Sequence, residues 1–216
     1  MTTQSFSDTE FVVRTIAQTA VDNEKEFGDL DSVVGDGDFG FSLARGFEIV
    51  LADWDSYDRT NIGVFLQKIA MVITGRIGGT SGPIWGTAFL RAATVTKGRD
   101  EITGTDAVAM LRAAMDGIKA RGNAELGDKT LLDALAPMTD TIEEKLAAGA
   151  SSDEVVAAAA ATARTAADAT VSMQARRGRA AYTGERSIGS PDPGAVAVAV
   201  ILERLASEWG SRPGAS

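Results

Sequence analysis

The chain has 216 residues with neither cysteine nor histidine, which excludes disulfides, thiolate or imidazole metal sites, cysteine nucleophiles and Ser-His-Asp triads. Lys and Arg number 21 against 30 Asp and Glu, and the resulting net charge of −9 argues against non-specific nucleic-acid binding. No apolar run reaches the length of a membrane span, and MTTQSFSDTEF lacks the basic and apolar parts of a signal peptide, so one cytoplasmic domain covering residues 1–216 is expected, with no membrane partner.

Helical periodicity dominates from the start. Ser7-x-x-Glu10 has the form of a capping box and precedes Phe11, Val12, Ile16, Ala20 and Val21 at helical spacing. A second helix follows the run DSVVGDGDFG (31–40), with Leu43, Phe47, Val50 and Leu51 on one face. A third carries Ile62, Phe65, Leu66, Ile69, Val72 and Ile73 and is predicted to end near Gly75, ahead of Gly78 and Gly79. Pro83 marks the first turn of a fourth, which reaches Val95. Thr105 is expected to cap a fifth, which holds Val108, Leu111, Met115 and Ile118. A sixth spans about 130–148, where Pro137 either kinks it or sets its start. Ser151-x-x-Glu154 opens an alanine-rich seventh that runs to about Ala175. The eighth segment, AVAVAVIL (195–202), alternates as a strand does, but a lone strand has nothing to pair with and a buried helix is expected. These elements predict an all-α bundle without internal repeats.

Four motifs carry chemistry. In DSVVGDGDFG, Asp31, Asp36 and Asp38 are separated by glycines that allow sharp turns; the carboxylates suit a hard cation such as Mg2+, although Asp and Gly also make ordinary solvated turns. Gly78-Gly79-Thr80-Ser81-Gly82-Pro83 leads into a helix, so its free amides and hydroxyls make a phosphate site or, more simply, a helix connection; no Gly-Lys-Ser/Thr follows, so it is not a Walker A loop. In Gly127-Asp128-Lys129-Thr130, Lys129 could neutralise a phosphate, or Asp128 could cap a helix with Thr130 in its first turn. The segment from Ala175 to Gly194 puts Arg176, Arg177, Arg179 and Arg186 in a glycine-punctuated loop, suited to an anion or simply solvated. Together the motifs supply what Mg2+-nucleotide binding needs: carboxylates, backbone donors and cations.

The runs GDGDFG, GGTSGPIWGTAFLRAA, GDKTLLDALAPM and ARRGRAAYTGERSIGSPDPGA, in this order, resemble the L subunit of dihydroxyacetone kinase and the equivalent domain of single-chain dihydroxyacetone kinases, over about Asp31 to Gly194. The resemblance implies an all-α barrel of eight antiparallel helices with nucleotide at one end. It implies Asp31, Asp36 and Asp38 as Mg2+ ligands. For the nucleotide it implies Phe39, Gly40, Phe41, Ser42, Gly79, Thr80, Ser81, Gly82, Gly122, Leu131, Arg179, Asp192, Pro193 and Gly194. No catalytic residue is assigned beyond Arg179 as a candidate charge stabiliser.

In this family a separate K subunit holds the ketose covalently through a histidine. This chain has none, so the resemblance implies half of a two-component kinase, in a homodimer or hetero-oligomer, within glycerol metabolism. Its cofactors would be Mg2+ with ATP or tightly bound ADP. Its partner would be a K-type ketose-binding subunit acting on dihydroxyacetone or a related short ketose. Two other readings stay open: a phosphocarrier with permanent ADP, recharged by a phosphotransferase-system donor protein, or a nucleotide-loaded regulatory module. Two positions depart from the family, which usually has His at Phe39 and Asn at Ser42. Losing an imidazole beside the phosphates removes a donor or cation, and points to a larger ketose such as a tetrulose or to different phosphate handling.

Overall fold

The structure is a computed structural model that describes residues 2–213, with side chains described from Phe6 onward. Among these residues the α-helices are α1 (Thr2–Asp22), α2 (Glu24–Ser32), α3 (Phe39–Ala52), α4 (Ile62–Arg76), α5 (Ser81–Val95), α6 (Gly104–Gly122), α7 (Leu132–Ala147), α8 (Ser152–Ala169) and α9 (Pro193–Glu208). Short 3-10 turns follow α3, α8 and α9, and a longer 3-10 segment covers Arg179–Ser187. Within the described residues there is no strand, and no helix is long and apolar enough to cross a membrane.

From α3 to α9 each helix packs on the next, α9 returns to α1, and α1 packs on α3, which closes a ring of eight helices. The short α2 lies outside that count, against α3 and α9. Neighbours run antiparallel: Gly86 of α5 lies against Thr74 of α4, Thr141 of α7 bonds Thr162 of α8, and Arg164 of α8 pairs with Glu203 of α9. The expected all-α barrel of eight antiparallel helices is therefore what the chain forms.

The ring encloses a main core, and a smaller cluster of Met115, Ile118, Ala124, Leu132 and Ala136 lies beside it. Leu43, Phe47, Phe65, Ile69, Ile73 and Met138 are buried within the main core. Burying large aliphatic and aromatic side chains of this kind stabilises a fold by about 1.5–3 kcal/mol each. Helices α8 and α9 pack on each other and bury alanines, among them Ala159, Ala163 and Ala167 of α8 and Ala195, Ala197 and Ala199 of α9, and small side chains allow close helix packing. This also explains AVAVAVIL: its alternation is not a strand's, because both alanines and valines are buried in α9, a helix inside the core.

Several boundaries differ from expectation. Helix α1 begins at Thr2, so Ser7 and Glu10 lie inside it and do not cap it. The residue capping α6 is Thr103, which exchanges hydrogen bonds with Asp106 in a full capping box; Thr105 sits in the first turn. Pro137 is accommodated within α7 in its second turn. Ser151 and Glu154 form the expected capping box, but α8 stops at Ala169, before Ala175. Helix α2 was not foreseen at all.

Alternating direction has a consequence for function. The N-termini of α3, α5, α7 and α9 fall at one end of the barrel, with the C-termini of α2, α4, α6 and α8. All four sequence motifs lie in the connections at that end. Four helix N-termini give it positive partial charge and unpaired amides.

Candidate metal and phosphate site

The acidic run is the link from α2 to α3. Asp31 lies in the last turn of α2, the Gly35 amide donates to its carbonyl at 2.6 Å, and Gly37 turns the chain with φ of +76°. A Cβ at Gly35 would lie 2.3 Å from Asp31 Oδ1 and 2.9 Å from the Asp31 carbonyl oxygen, so a side chain there would push the Asp31 carboxylate aside. Asp38 occupies the N-cap position of α3 without a side-chain capping bond, which leaves its carboxylate for other work. Carboxylate oxygens of Asp31, Asp36 and Asp38 gather within 4.8 Å of one another. Such a set of oxygens suits a hard divalent cation. The guanidinium of Arg179 pairs with Asp36 and also reaches Asp38, with Nη2 3.4 Å from Oδ2, so the cluster already attracts a cation.

Gly40 locks this loop to the start of α3. Its Cα lies so close to α2 that a Cβ would meet the Glu24 carbonyl oxygen at 2.0 Å and the Gly28 nitrogen at 2.5 Å. Phe39 turns its ring toward Phe27 of α2, with centroids 6.1 Å apart. Phe41 is exposed and lies under the Arg45 guanidinium, 5.0 Å from the ring centre.

The second glycine loop is the neighbour of α3. Gly46 lies beneath Ile77, and Ser42 Oγ is the atom nearest to where a Cβ on Gly78 would be. Gly79 has φ of +61°, and a Cβ on Gly82 would lie 2.2 Å from the Ile77 carbonyl oxygen, so the turn tolerates no side chain there. Thr80 takes the N-cap position of α5 without a side-chain capping bond, and Ser81 begins the helix. Hydroxyls and first-turn amides are thus free to serve a ligand.

The remaining nucleotide candidates border the same end. Gly122, the last residue of α6, lies beside Ile84 of α5, and Leu131 at the start of α7 lies against Gly194. Asp192, Pro193 and Gly194 are the cap and first turn of α9 rather than a free loop: Asp192 Oδ2 accepts the Ala195 amide at 2.7 Å. Burial pushes the Asp192 carboxyl up to about 7, against the pull of that amide; nearby Asp133 raises it further and Lys129 opposes this.

The third motif departs from both sequence readings. Asp128 does not cap α7. Its carboxylate accepts the Glu125 amide at 2.9 Å and Arg177 Nε at 2.8 Å, and these partners hold it below the usual carboxylate range. Asp133, in the first turn, accepts the amides of Gly127 and Thr130 that precede the helix, and Thr130 Oγ1 accepts the Leu132 amide at 3.2 Å. Lys129 is only 3 % exposed and points away from solvent. Its Nζ donates to the carbonyls of Met173, Ser187 and Ser190 at 3.1, 2.5 and 2.7 Å. Sequence reasoning missed Asp133, although an acid in the first turn is a recognisable helix-start signal.

The DAK2 domain family matches residues 33–207. Over 177 residues the chain is 40 % identical to the PEP-dependent dihydroxyacetone kinase, ADP-binding subunit DhaL, of Escherichia coli (strain K12), covering 82 % of this chain and 84 % of that protein. It is 38 % identical to the L-erythrulose 1-kinase of Mycolicibacterium smegmatis over 90 % of its own length, but spans only 34 % of that longer protein. The fold superposes with a TM-score of 0.74 on the dihydroxyacetone kinase of C. freundii in complex with AMP-PNP and Mg2+, at 24 % identity, covering 93 % of this chain and 33 % of that one.

Proposed function

The chain belongs to the DAK2 domain family, and from that premise we propose that residues 1–216 form the nucleotide-binding subunit of a two-component ketose kinase. The observation that carries this reading is the meeting of a carboxylate trio with the N-termini of α3 and α5 at one end of the barrel. Asp31, Asp36 and Asp38 would hold Mg2+, which when bound neutralises charge on nucleotide phosphates. The amides of Gly40 and Phe41 and those from Thr80 to Gly82, with the hydroxyls of Ser42, Thr80 and Ser81, would orient those phosphates, while the Phe39 amide donates to the Asp31 carboxylate and the Ser42 amide to the Asp38 carbonyl. Arg179 supplies a cation beside them. Gly122, Leu131 and the Asp192–Gly194 turn would frame the rest of the nucleotide. Positioning and fixed charge are what phosphoryl transfer asks of such a subunit.

A ketose-binding partner fits the surface. Val33, Phe41, Leu126, Tyr182 and Ile188 are exposed large apolar residues, and all lie on the elements that surround the site. Exposed apolar side chains gathered at one end mark a contact surface. The chain's lack of histidine leaves a covalent ketose anchor to that partner. For the phosphoryl donor, the likeness to an ADP-binding subunit of a PEP-dependent kinase supports a retained ADP that is recharged in place. The likeness to an erythrulose kinase supports a four-carbon ketose as the acceptor.

The test is mass analysis of nucleotide released by denaturing freshly purified protein, with a parallel titration of Mg2+-ATP. Retained ADP that resists exchange supports the recharged carrier; reversible binding of Mg2+-ATP supports an ATP-dependent subunit. A protein that neither carries nor binds nucleotide would overturn the proposal. The chain alone is expected not to phosphorylate free dihydroxyacetone, and robust turnover without a partner would refute the two-component reading.

A further inference from the structure

We propose that Lys129 is a positioning residue: its buried ammonium clamps the 173–190 segment and so places Arg179 over the acid cluster, instead of binding phosphate. The inference rests on the nucleotide-site reading above, for it assigns a role within that site. An ammonium has three N–H donors, and here three carbonyl oxygens accept them, so none remains for a phosphate. The three acceptors come from the start and the end of one segment, Met173 on one side and Ser187 and Ser190 on the other. Lys129 thereby draws the two ends of a long connection together.

Asp128 completes the clamp. Its carbonyl accepts the Arg176 amide at 3.0 Å and its carboxylate accepts Arg177 Nε at 2.8 Å, two residues before Arg179. Within the segment Ala175 N donates to Ser187 Oγ at 2.9 Å, and Gly189 N donates at 2.8 Å to the carbonyl of Val171, just before it. The backbone of Lys129 is itself left-handed, with φ of +63°, an uncommon conformation for a residue with a side chain. That local cost is accepted where the surrounding structure demands it. Burial lowers the affinity of Lys129 for its proton while Asp192 favours the charged form. The carbonyl cage suits a compact ammonium; a planar guanidinium presents its donors in a different geometry.

The first measurement uses the unaltered protein, labelled with 15N-lysine. One lysine ammonium resonance should exchange slowly with water, disappear in Lys129→Met, and stay unmoved when Mg2+-ADP is added or stripped. In Lys129→Met, hydrogen exchange at Arg176 and Gly189 should speed up by about tenfold or more while the barrel helices keep their protection. Mg2+-ADP affinity should fall by about tenfold in the same variant. In Lys129→Ala, added propylammonium should restore loop protection, which relief of a general packing defect would not do; Lys129→Arg should not substitute.

A Lys129 resonance that shifts on nucleotide binding would overturn the proposal, as would Lys129→Met with unchanged loop protection. Should Lys129→Met fail to fold, the resonance of the unaltered protein still decides between cage and phosphate. Should the unaltered protein bind no nucleotide, the nucleotide reading fails, while the exchange and resonance measurements still report on the clamp.

Discussion

Gly40 and Gly75 sit inside helices of the same barrel, yet alanine should act on them in opposite directions. At Gly40 the added methyl would lie 2.0 Å from the Glu24 carbonyl oxygen and 2.5 Å from the Gly28 nitrogen, both backbone atoms of α2. Restoring an ordinary contact requires α2 and α3 to separate by about 1.4 Å, and overpacking of this kind costs about 1–3 kcal/mol. The upper end applies because no flexible side chain can yield. For a protein of this size that corresponds to a Tm lower by about 6–10 °C. At Gly75 nothing lies within 4 Å of the added methyl, and the backbone is ordinary helix. Alanine there only restricts the unfolded chain, which stabilises by about 0.4–1 kcal/mol and raises Tm by about 1–3 °C. Thermal unfolding of both variants by circular dichroism, alongside Mg2+-ADP titration, reads out the pair. Gly40→Ala should also weaken nucleotide binding, because it moves the first turn of α3 away from the Asp31 loop, whereas Gly75→Ala should leave binding intact. Equal shifts in the two variants, or a Gly40→Ala protein as stable as the parent, would refute the close-approach argument.

Asp36→Asn removes one of three charges from a largely exposed cluster and should weaken Mn2+ binding, read by electron paramagnetic resonance, by about ten- to a hundredfold; unchanged affinity would remove Asp36 from the ligand set. Phe39→His should cost stability of about 1–2 kcal/mol, since the ring packs on Phe27, while nucleotide affinity stays within about twofold; a large gain in affinity or transfer rate would show that position 39 faces the phosphates instead. The raised pKa of Asp192 predicts a pH effect of definite sign. Its contribution is fully present below the unfolded carboxylate pKa of about 4 and is lost as pH rises through about 7, because the folded state holds the proton more tightly. Asp192→Asn should therefore differ from the parent in the slope of stability against pH between those values, and identical slopes would contradict it.

The parts of the fold that were legible in the sequence are those where one apolar face repeats over several turns, as in Ile62 to Ile73 or Val108 to Ile118. Helix α2 escaped because EKEFGDLDS buries only Phe27 and carries a glycine in its middle; its stability comes from packing on α3, which no local pattern records. The Ser7-x-x-Glu10 pattern misled because a capping box needs a non-helical residue at its head, and the chain is already helical there. At the site, the acidic run and the Gly-Thr-Ser-Gly loop were legible because glycines at fixed places dictate turns. Lys129 was not, since a lysine after Gly-Asp reads as a surface cation, and only the tertiary return of the 173–190 segment supplies the carbonyls that take it inward. Arg177 likewise finds its partner in Asp128, far away in the chain.

The alternation of helix direction also divides the molecule into a working end and a structural end. The turns 53–61, 96–103 and 148–151 carry none of the candidate ligand residues, and the length of α7 alone, 16 residues, separates the last of them from the site by about 24 Å. Peptide inserted at 148–151 would leave every candidate ligand residue in place, whereas the same insertion at 77–80 would displace the candidate phosphate loop with the barrel still closed. Candidate chemistry and architecture in this chain are therefore separable by position: the far turns hold helix caps such as Thr103 and Ser151 and the buried Trp54 and Tyr57 but no candidate ligand residue, and the near ones hold them all.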